Sequence, residues 1–367
     1  MPATTTTSRL LRSGFVDLLV GPHGIDRYLE LIRPQMTVRD ARAEVIGVHR
    51  QTDRSVTLTL RPNRVWSGHL AGQFVRVGIE IDGVRRTRTY SPACSERGSR
   101  DELELTVTEH PEGRVSGHLV SRVRPGTIVH LAPAQGDFVL PQRRPERLVL
   151  ISGGSGITPV LSMLRTLCHE GHEGEIAFLH YARTAADFLY RAEVDALAAT
   201  HPGLHVQYVA TREGGDHVSA EAIVALLPGA GPDGAHAAVC GPPALIDAVG
   251  EIYAGAPERL FTETFTPPVL TVSGQAGTAG EAGGEGTIRF LRSDRVAEIG
   301  EGTLLEQAES SGLTPEFGCR MGICHTCTCR KSAGTVRNLL TGEISDEEDE
   351  DIQLCISVPA GDVALEI

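Results

Sequence analysis

From about Met36 to Leu140 the chain alternates apolar and polar positions over short β-branched runs broken by Gly, Pro and Asp: AEVIGVHR, SVTLTLRP, QFVRVGIEI, LELTVTEH and GTIVHLAP. Period-two alternation turns one face of each run toward a core and the other toward water. A series of such runs at regular spacing predicts a small antiparallel β-barrel. The pattern changes at Arg147. RLVLIS, EIAFLHYA, LHVQYVAT and AHAAVCG are near-continuous apolar runs, separated by the helix-like stretches PVLSMLRTLCHE, YRAEVDALAAT and PALIDAVGEIYA. Strands that do not alternate are buried on both faces, so this region predicts a doubly wound parallel α/β sheet.

Beyond Pro268 the segment SGQAGTAGEAGGEG has nothing with which to build a core and reads as a flexible linker. The organisation expected is an N-terminal leader over 1–36 in which GIDRYLELI is amphipathic, a barrel over 37–142, an α/β domain over 143–266, a linker over 267–286 and a compact module over 287–367.

Composition narrows the function classes. A chain of 367 residues is long enough for two or three domains. Its net charge of −13 argues against a nucleic-acid binder and suits docking onto basic partners. No apolar run reaches the ~18 residues of a membrane span, so no membrane insertion of its own is expected. Asp17 interrupts the short apolar stretch near the start and no cleavage signature follows it, which leaves the cytoplasm as the expected compartment. Eight cysteines in a chain of this size and address do not suggest a disulfide scaffold.

Four of those cysteines carry chemistry. Cys319, Cys324, Cys327 and the distant Cys355 form C-x4-C-x2-C…C, the spacing of a plant-type [2Fe–2S] ferredoxin. Two irons need two thiolates each, and a short loop brings three sulfurs to one side of a cluster only if its backbone bends sharply. Gly318 and Gly322 supply that freedom, and their amides, with that of Arg320, are placed to donate to cluster sulfurs. The competing readings are a zinc site or idle thiols; structural zinc uses paired C-x2-C knuckles, and one such pair is present. The module is accordingly expected to be an α+β ferredoxin (β-grasp) fold. Cys329 stands two residues past the third ligand and is read as a neighbouring free thiol; Cys94 and Cys168 are read as ordinary small apolar side chains.

Three further motifs concern nucleotides. Arg88-Thr89-Tyr90-Ser91 follows a strand and precedes a proline turn, and Gly113-Arg114-Val115-Ser116 is a glycine turn entering a helix, with Ser116 expected as its cap. A helix N-terminus offers free amides and the positive dipole end to a pyrophosphate. RLVLIS runs into Gly153-Gly154-Ser155-Gly156-Ile157-Thr158-Pro159 and then a helix, the strand–glycine turn–helix context of a phosphate cradle, while Cys240-Gly241-Pro242-Pro243 closes the fourth parallel run.

Together these motifs resemble the ferredoxin–NADP reductase superfamily over about residues 37–367, in the version with a C-terminal ferredoxin domain. The resemblance implies that Arg88 binds the FAD phosphate, Tyr90 packs on the isoalloxazine and Ser91 sits near flavin N5. Gly113, Val115 and Ser116 would hold the pyrophosphate, and Thr106 and Thr108 would line the same pocket. Gly153, Gly154, Gly156, Thr158 and Pro159 would form the pyridine-nucleotide loop. Cys240, Gly241 and Pro242 would lie beside the nicotinamide, Cys240 as a pocket residue and not a nucleophile. Arg183 and Arg191, after the second parallel run, are candidate partners for a 2′-phosphate, which favours NADPH; Asp187 on the ribose of NADH is the alternative.

The implied activity is an NAD(P)H-dependent flavin iron–sulfur oxidoreductase that accepts two electrons from the nucleotide and releases them singly through the cluster. Reductases of this order serve oxygenases, hydroxylases, cytochromes P450 and fatty-acyl desaturases. The wording HGIDRYLELIRP and CHTCTCRK is most similar to actinobacterial NADPH oxidoreductases that serve the membrane-embedded stearoyl-CoA desaturase. The acidic run Asp346-Glu347-Glu348-Asp349-Glu350-Asp351 is a candidate docking patch for a basic partner, or a solvated face. Two other readings stand beside this one: a redox sensor or metal-stapled binding module on a reductase scaffold, and a reductase of a small-molecule acceptor. The role of Glu263 is left open.

Overall fold

The computed structural model describes Thr37 and residues 40–110, 113–265, 286–300, 302–317, 322 and 325–367. The expected leader, the linker up to 285, Cys319, Cys324, Gly318 and Arg320 lie outside the described residues. The chain divides into two compact units, Met1–Phe265 and Thr266–Ile367.

The first unit begins with an antiparallel sheet built from β1 (Ala41–Thr52), β2 (Ser55–Pro62), β3 (Val75–Ile81), β4 (Val84–Tyr90), β5 (Leu103–Thr108) and β6 (Ile128–Leu131), in the order β4-β3-β6-β1-β2-β5. Alternate residues such as Val56, Leu58, Leu60, Leu103 and Leu105 point inward and are almost fully buried, as the period-two pattern requires. The ribbon closes just past β4, where Pro92 bridges to Leu105 and the Ala93 amide donates to the Glu104 carbonyl at 2.9 Å. The result is a barrel closed between β4 and β5 by this bridge, the two strands themselves being the ends of the sheet. Arg88–Tyr90 are the last residues of β4 itself, not a segment following a strand. One helix, α1 (Arg114–Ser121), packs Val115 and Leu119 onto the barrel core.

The same unit continues into a parallel sheet of β7 (Arg147–Gly153), β8 (Glu175–Ala182), β9 (Leu204–Ala210), β10 (His236–Cys240) and β11 (Leu260–Glu263), ordered β11-β10-β7-β8-β9. Helices α2 (Ile157–Glu170) and α3 (Arg191–Thr200) bury their apolar faces on one side. On the other side lie α4 (Ala220–Leu226), which the sequence pattern did not announce, and α5 (Pro243–Ile252). The strand order reverses between β7 and β10. In an open α/β sheet the carboxyl ends at such a switch point leave the crevice in which ligands bind. Barrel residues Ala71, Ala93, Phe138 and Leu140 share a hydrophobic cluster with α2 and the parallel sheet, so barrel and sheet are packed as one body.

The second unit is an α+β module. β12 (Thr287–Phe290), β13 (Arg295–Glu298), β14 (Thr328–Asn338), β15 (Ile344–Ser345) and β17 (Ser357–Leu365) run in the order β13-β12-β17-β14-β15, with β16 (Glu350–Gln353) also on β14. β12 pairs parallel to β17, while the other pairings are antiparallel. A parallel pair needs a crossover connection, and α6 (Leu304–Ser310) lies on it, packing Leu304, Leu305 and Ala308 against Ile288 and Phe290. A reciprocal cap starts that helix: the Glu306 amide donates to Thr303 Oγ1 at 3.3 Å, and the Thr303 amide donates to Glu306 Oε2 at 2.8 Å. Lys331, fully buried on β14, donates through Nζ to the carbonyls of Gly334 and Glu347, which anchors the acidic run from beneath.

Candidate functional site

Two glycine turns meet at the switch point. β7 ends at Gly153 and passes through a single turn of 3₁₀ helix, Gly154–Gly156, into α2. β10 ends at Cys240 and passes through Gly241 and Pro242 into α5. A Cβ on Gly153 would stand 2.6 Å from Pro242 Cδ, and one on Gly156 would stand 2.6 Å from the Cys240 carbonyl carbon and closer still to its oxygen. Both positions must be glycine for the turns to touch. Gly154 differs: its φ of +55° is a backbone requirement, and open space surrounds it.

No side chain caps α2. Its N-cap is Gly156, the Ile157 amide donates to the Gly154 and Ser155 carbonyls of the turn itself, and the positive end of the helix dipole faces the turn. Pro159 sits in the first turn, where a missing N–H costs nothing. Thr158 is buried and its hydroxyl donates to the Ser155 carbonyl at 3.3 Å. A turn with space over Gly154, at the positive end of a helix that no side chain caps, fits a dinucleotide phosphate.

The structure alters the reading of Cys240. Its side chain is fully buried in the cluster beneath α2, and burial, with the Glu263 carboxylate second, pushes its thiol pKa well up. Its backbone abuts the glycine turn of β7, and its sulfur lies in the apolar cluster. Glu263 lies beside it as its register partner on β11. Burial raises the Glu263 carboxyl to about 7, against the opposing hydrogen bond from the Thr264 amide. Nothing in the sequence pairs these two residues; parallel pairing does. Buried His180 on β8 is a further residue the sequence did not single out. Its Nδ1 is 2.9 Å from Ser152 Oγ, its Nε2 has no hydrogen-bond partner among the described residues, and burial lowers its pKa to about 4.

At the outer end of β8, Arg183 is exposed. Its carbonyl accepts from the Arg212 amide at 2.9 Å, which sets a second exposed arginine next to it at the end of β9. The sequence reading passed over Arg212 because it is distant along the chain. Arg191 instead lies over the rings of Phe188 and Tyr208, at 5.8 and 5.1 Å, with Asp195 at 3.9 Å. Asp187 is occupied locally: its Oδ2 accepts from the Thr184 amide at 3.1 Å and the Thr184 hydroxyl at 2.8 Å.

On the barrel, Thr89 Oγ1 and Ser91 Oγ are buried without a hydrogen-bond partner among the described residues, at the end of β4 and just past it. A buried hydroxyl left unpaired costs about 1–3 kcal/mol, so this strand end suits a polar ligand laid against it. Tyr90 lies between them, its hydroxyl pKa raised by burial against the opposing charge of Arg88. α1 begins at Gly113, which is its N-cap and makes no side-chain cap bond. Ser116 is therefore inside the helix and not its cap. Its Oγ donates to the Gly113 carbonyl and accepts from the His110 amide, both at 3.1 Å, which fixes the turn and leaves the first amides of α1 for an anion. The Val115 side chain is core and offers only its backbone. These features fit an FAD pyrophosphate and ring. Thr108 Oγ1 is paired with Ser55 Oγ at 2.9 Å, and Thr106 Oγ1 with Thr57 Oγ1 at 2.8 Å and with the Tyr190 hydroxyl.

In the second unit Cys327 and Cys355 are both buried, and the Cys355 amide donates to Cys327 Sγ at 3.4 Å, the bond by which a backbone stabilises a thiolate ligand. Gly322 has φ +79°, and a Cβ there would stand 2.7 Å from Ile356 Cδ1. The Gln353 side-chain amide donates to the Gly322 carbonyl at 2.6 Å, which ties the loop to the segment bearing Cys355. The two described sulfur donors, Cys327 and Cys355, suit an iron–sulfur cluster. Cys329 is elsewhere: it lies within β14, packs against the core and has its thiol pKa raised by burial to about 11.

Comparison with known proteins gives the same partition. The oxidoreductase FAD-binding domain family matches residues 51–140, the oxidoreductase NAD-binding domain family 150–251 and the 2Fe-2S iron-sulfur cluster binding domain family 291–360. An NADPH oxidoreductase of Mycobacterium tuberculosis is 39% identical over 350 residues, spanning 93% of this chain and 88% of that protein. A glycine betaine monooxygenase reductase subunit of Pseudomonas aeruginosa is 28% identical over 316 residues, 80% of this chain and 86% of that one. Among solved structures, phthalate dioxygenase reductase shares the fold with a TM-score of 0.61 at 21% identity, covering 89% of this chain and 97% of its own. The chain therefore belongs to the family of NAD(P)H-dependent oxidoreductases that carry FAD-binding, NAD-binding and 2Fe-2S domains on one polypeptide.

Proposed function

We propose that this protein draws electrons from NADPH onto FAD, relays them to a [2Fe–2S] cluster held by Cys319, Cys324, Cys327 and Cys355, and delivers them singly to a separate redox protein. The observation that carries this reading is the meeting of the Gly153–Gly156 and Cys240–Pro242 turns, in the same compact unit as the strand end whose buried Thr89 and Ser91 hydroxyls have no hydrogen-bond partner among the described residues. When bound, the flavin supplies the exchange between a two-electron donor and a one-electron acceptor. The chain's own residues bind and orient. The uncapped amides of α1 take the flavin pyrophosphate, Tyr90 and Ser91 flank its ring, and the α2 turn takes the nucleotide phosphates.

Relatives named as NADPH oxidoreductase and as monooxygenase reductase subunit support NADPH as donor and an oxygenase, P450 or fatty-acyl desaturase as acceptor. The acidic run beside Cys355 supports a basic face on that acceptor. Arg330 lies 3.4 Å from Asp351, and Lys331 draws in the Glu347 carbonyl, so the run has a fixed shape to present.

An anaerobic visible titration tests the route. NADPH is expected to bleach both the flavin bands and the broad iron–sulfur absorbance. In Arg183→Ala the dissociation constant for NADPH should rise about 10-fold or more while that for NADH stays put, because a hydrogen bond to a charged group contributes about 1.5–3 kcal/mol and 1.4 kcal/mol is tenfold. A cluster that stays oxidised while the flavin bleaches breaks the route, and equal shifts for both nucleotides remove Arg183 from the 2′-phosphate.

Glu263 predicts a pH dependence. The native carboxyl, raised to about 7, keeps a proton that the unfolded chain has released above its ordinary pKa of 4.5. Its contribution to stability therefore declines as pH rises through that window. The pH profile of NADPH-driven flavin reduction is expected to carry an ionisation near pH 7 that Glu263→Gln abolishes. An unchanged profile in the variant assigns that ionisation to another group.

A further inference from the structure

Arg165 lies in the third turn of α2 and belongs to none of the motifs above. Its Nε and Nη2 donate to the two carboxylate oxygens of Glu193 on α3, at 2.6 and 2.7 Å. Its Nη1 donates to Glu104 Oε2 on barrel strand β5 at 2.6 Å and to the Ala93 carbonyl at 2.9 Å. The guanidinium carbon stands 5.2 Å from the centre of the Tyr190 ring. The Tyr190 hydroxyl in turn reaches the barrel, bonded to Thr106 Oγ1 and to Thr57 Oγ1, the latter at 3.0 Å. Burial works against the charge on Arg165, but the Glu193 and Glu104 carboxylates outweigh it and its pKa is raised. The guanidinium stays charged and itself largely buried, between two carboxylates that reach the surface.

Two details take this beyond ordinary interface packing. Tyr190 holds φ +58°, a left-handed conformation that a bulky residue rarely adopts and that persists where the surroundings over-determine it. The residues clamped are also the ones that aim the two cofactor sites. Ala93 is two residues past Ser91, at the flavin strand end, and α2 starts at the nucleotide glycine turn. Ser162, a turn earlier on α2, donates to the Cys94 carbonyl at 2.6 Å, so the helix is fastened along its length to the segment that leaves Ser91. α3 follows the β8 end that carries Arg183.

We infer that Arg165 and Tyr190 are positioning residues that set the distance and angle between bound nicotinamide and bound flavin, by fixing the barrel strand end at Ser91 against the helix that begins at the nucleotide turn. Neither residue touches the reacting atoms. Displacement of about 1 Å by a change remote from the chemistry is enough to lower a rate by about 10²-fold, while binding, which depends on each cofactor's own cradle, is far less sensitive. This inference rests on the electron route proposed above.

The experiment uses the full-length holoprotein and three variants: Arg165→Met, which keeps the aliphatic stem and loses the fork, Arg165→Lys, and Tyr190→Phe, which removes a single hydroxyl. Anaerobic stopped-flow mixing with saturating NADPH reads the flavin-bleaching rate. Titration with NADP⁺ reads affinity, and the reduced enzyme with NADP⁺ reads the long-wavelength charge-transfer absorbance of a stacked nicotinamide–flavin pair. The expected result for Arg165→Met is a rate lower by about 10- to 100-fold with NADP⁺ affinity within about threefold, unchanged flavin content and a diminished charge-transfer band. Arg165→Lys should recover part of the rate, and Tyr190→Phe should shift rate and band in the same direction by less. Should Arg165→Met fail to fold, Tyr190→Phe decides. Wild-type rate and band in the variants overturn the inference, as does loss of flavin and nucleotide affinity in step with the rate. If the wild-type flavin itself does not bleach with NADPH, the electron route fails and not the clamp.

Discussion

Cys355→Ser is expected to separate the two halves of the proposed circuit. NADPH-driven reduction of ferricyanide, which takes electrons from the flavin, should stay within about twofold of wild type, because the residues of that site all lie in the unit Met1–Phe265. Reduction of a one-electron protein acceptor such as cytochrome c should fall by about 100-fold or more, and the broad iron–sulfur absorbance should vanish along with bound iron. Cys355 is buried on the core of the second unit, and its backbone amide, which the substitution keeps, is the donor to Cys327 Sγ, so the change removes the Cys355 sulfur alone. Because metal binding is coupled to folding, the melting transition of the second unit should drop while that of the first is kept. Cys329→Ser is the control: half-buried in β14 against the core, it should leave iron content and relay intact. Retention of the iron–sulfur spectrum in Cys355→Ser refutes the ligand assignment, and zinc in place of iron in the wild type refutes the relay.

Gly156→Val is expected to be the most damaging change in the first unit. Gly156 has φ −63°, a conformation any residue adopts, so the cost is purely steric: the new side chain enters the Cys240 carbonyl. Overpacking of this kind costs about 1–3 kcal/mol, lowering the melting midpoint, and it forces apart the two turns that form the nucleotide crevice. NADPH affinity should fall by at least about tenfold, an amount that 1.4 kcal/mol already produces. Gly154→Ala separates space from backbone. Nothing lies near a Cβ there, so its penalty is the left-handed φ of +55° alone, and its effect on affinity should be the smaller. Equal effects of the two substitutions disprove the abutting-turn geometry.

Much of the fold was legible because it rests on local periodicity. SVTLTLRP and EIAFLHYA coincide with β2 and β8 to the residue, since alternation and continuous burial each leave a distinct trace in a strand. Where the trace was weak, boundaries moved. β4, VRRTRTY, is too rich in arginine to show a buried face, and it runs to Tyr90 through a motif read as following a strand. Ser116 was expected as a cap because its residue type favours that position, but Gly113 takes it, since the turn already bonds Ser116 to Gly113 and His110.

The cofactor identities were legible for a related reason. Cysteine spacing, and glycines where a strand turns into a helix, are short-range constraints that chemistry imposes on adjacent residues, and they survive in the sequence as words. What the tertiary structure alone decided are contacts between residues far apart in the chain. Glu263 beside Cys240 follows from parallel pairing of β10 and β11, Arg212 beside Arg183 from that of β8 and β9, and the burial that raises Glu263 has no local sequence signal. The union of Arg165 with Glu104, Glu193 and Tyr190 joins a barrel strand to two helices of the parallel sheet's domain. No periodicity records it, because charge pairing across a packed seam depends on where chain folding delivers each side chain and not on its neighbours in sequence.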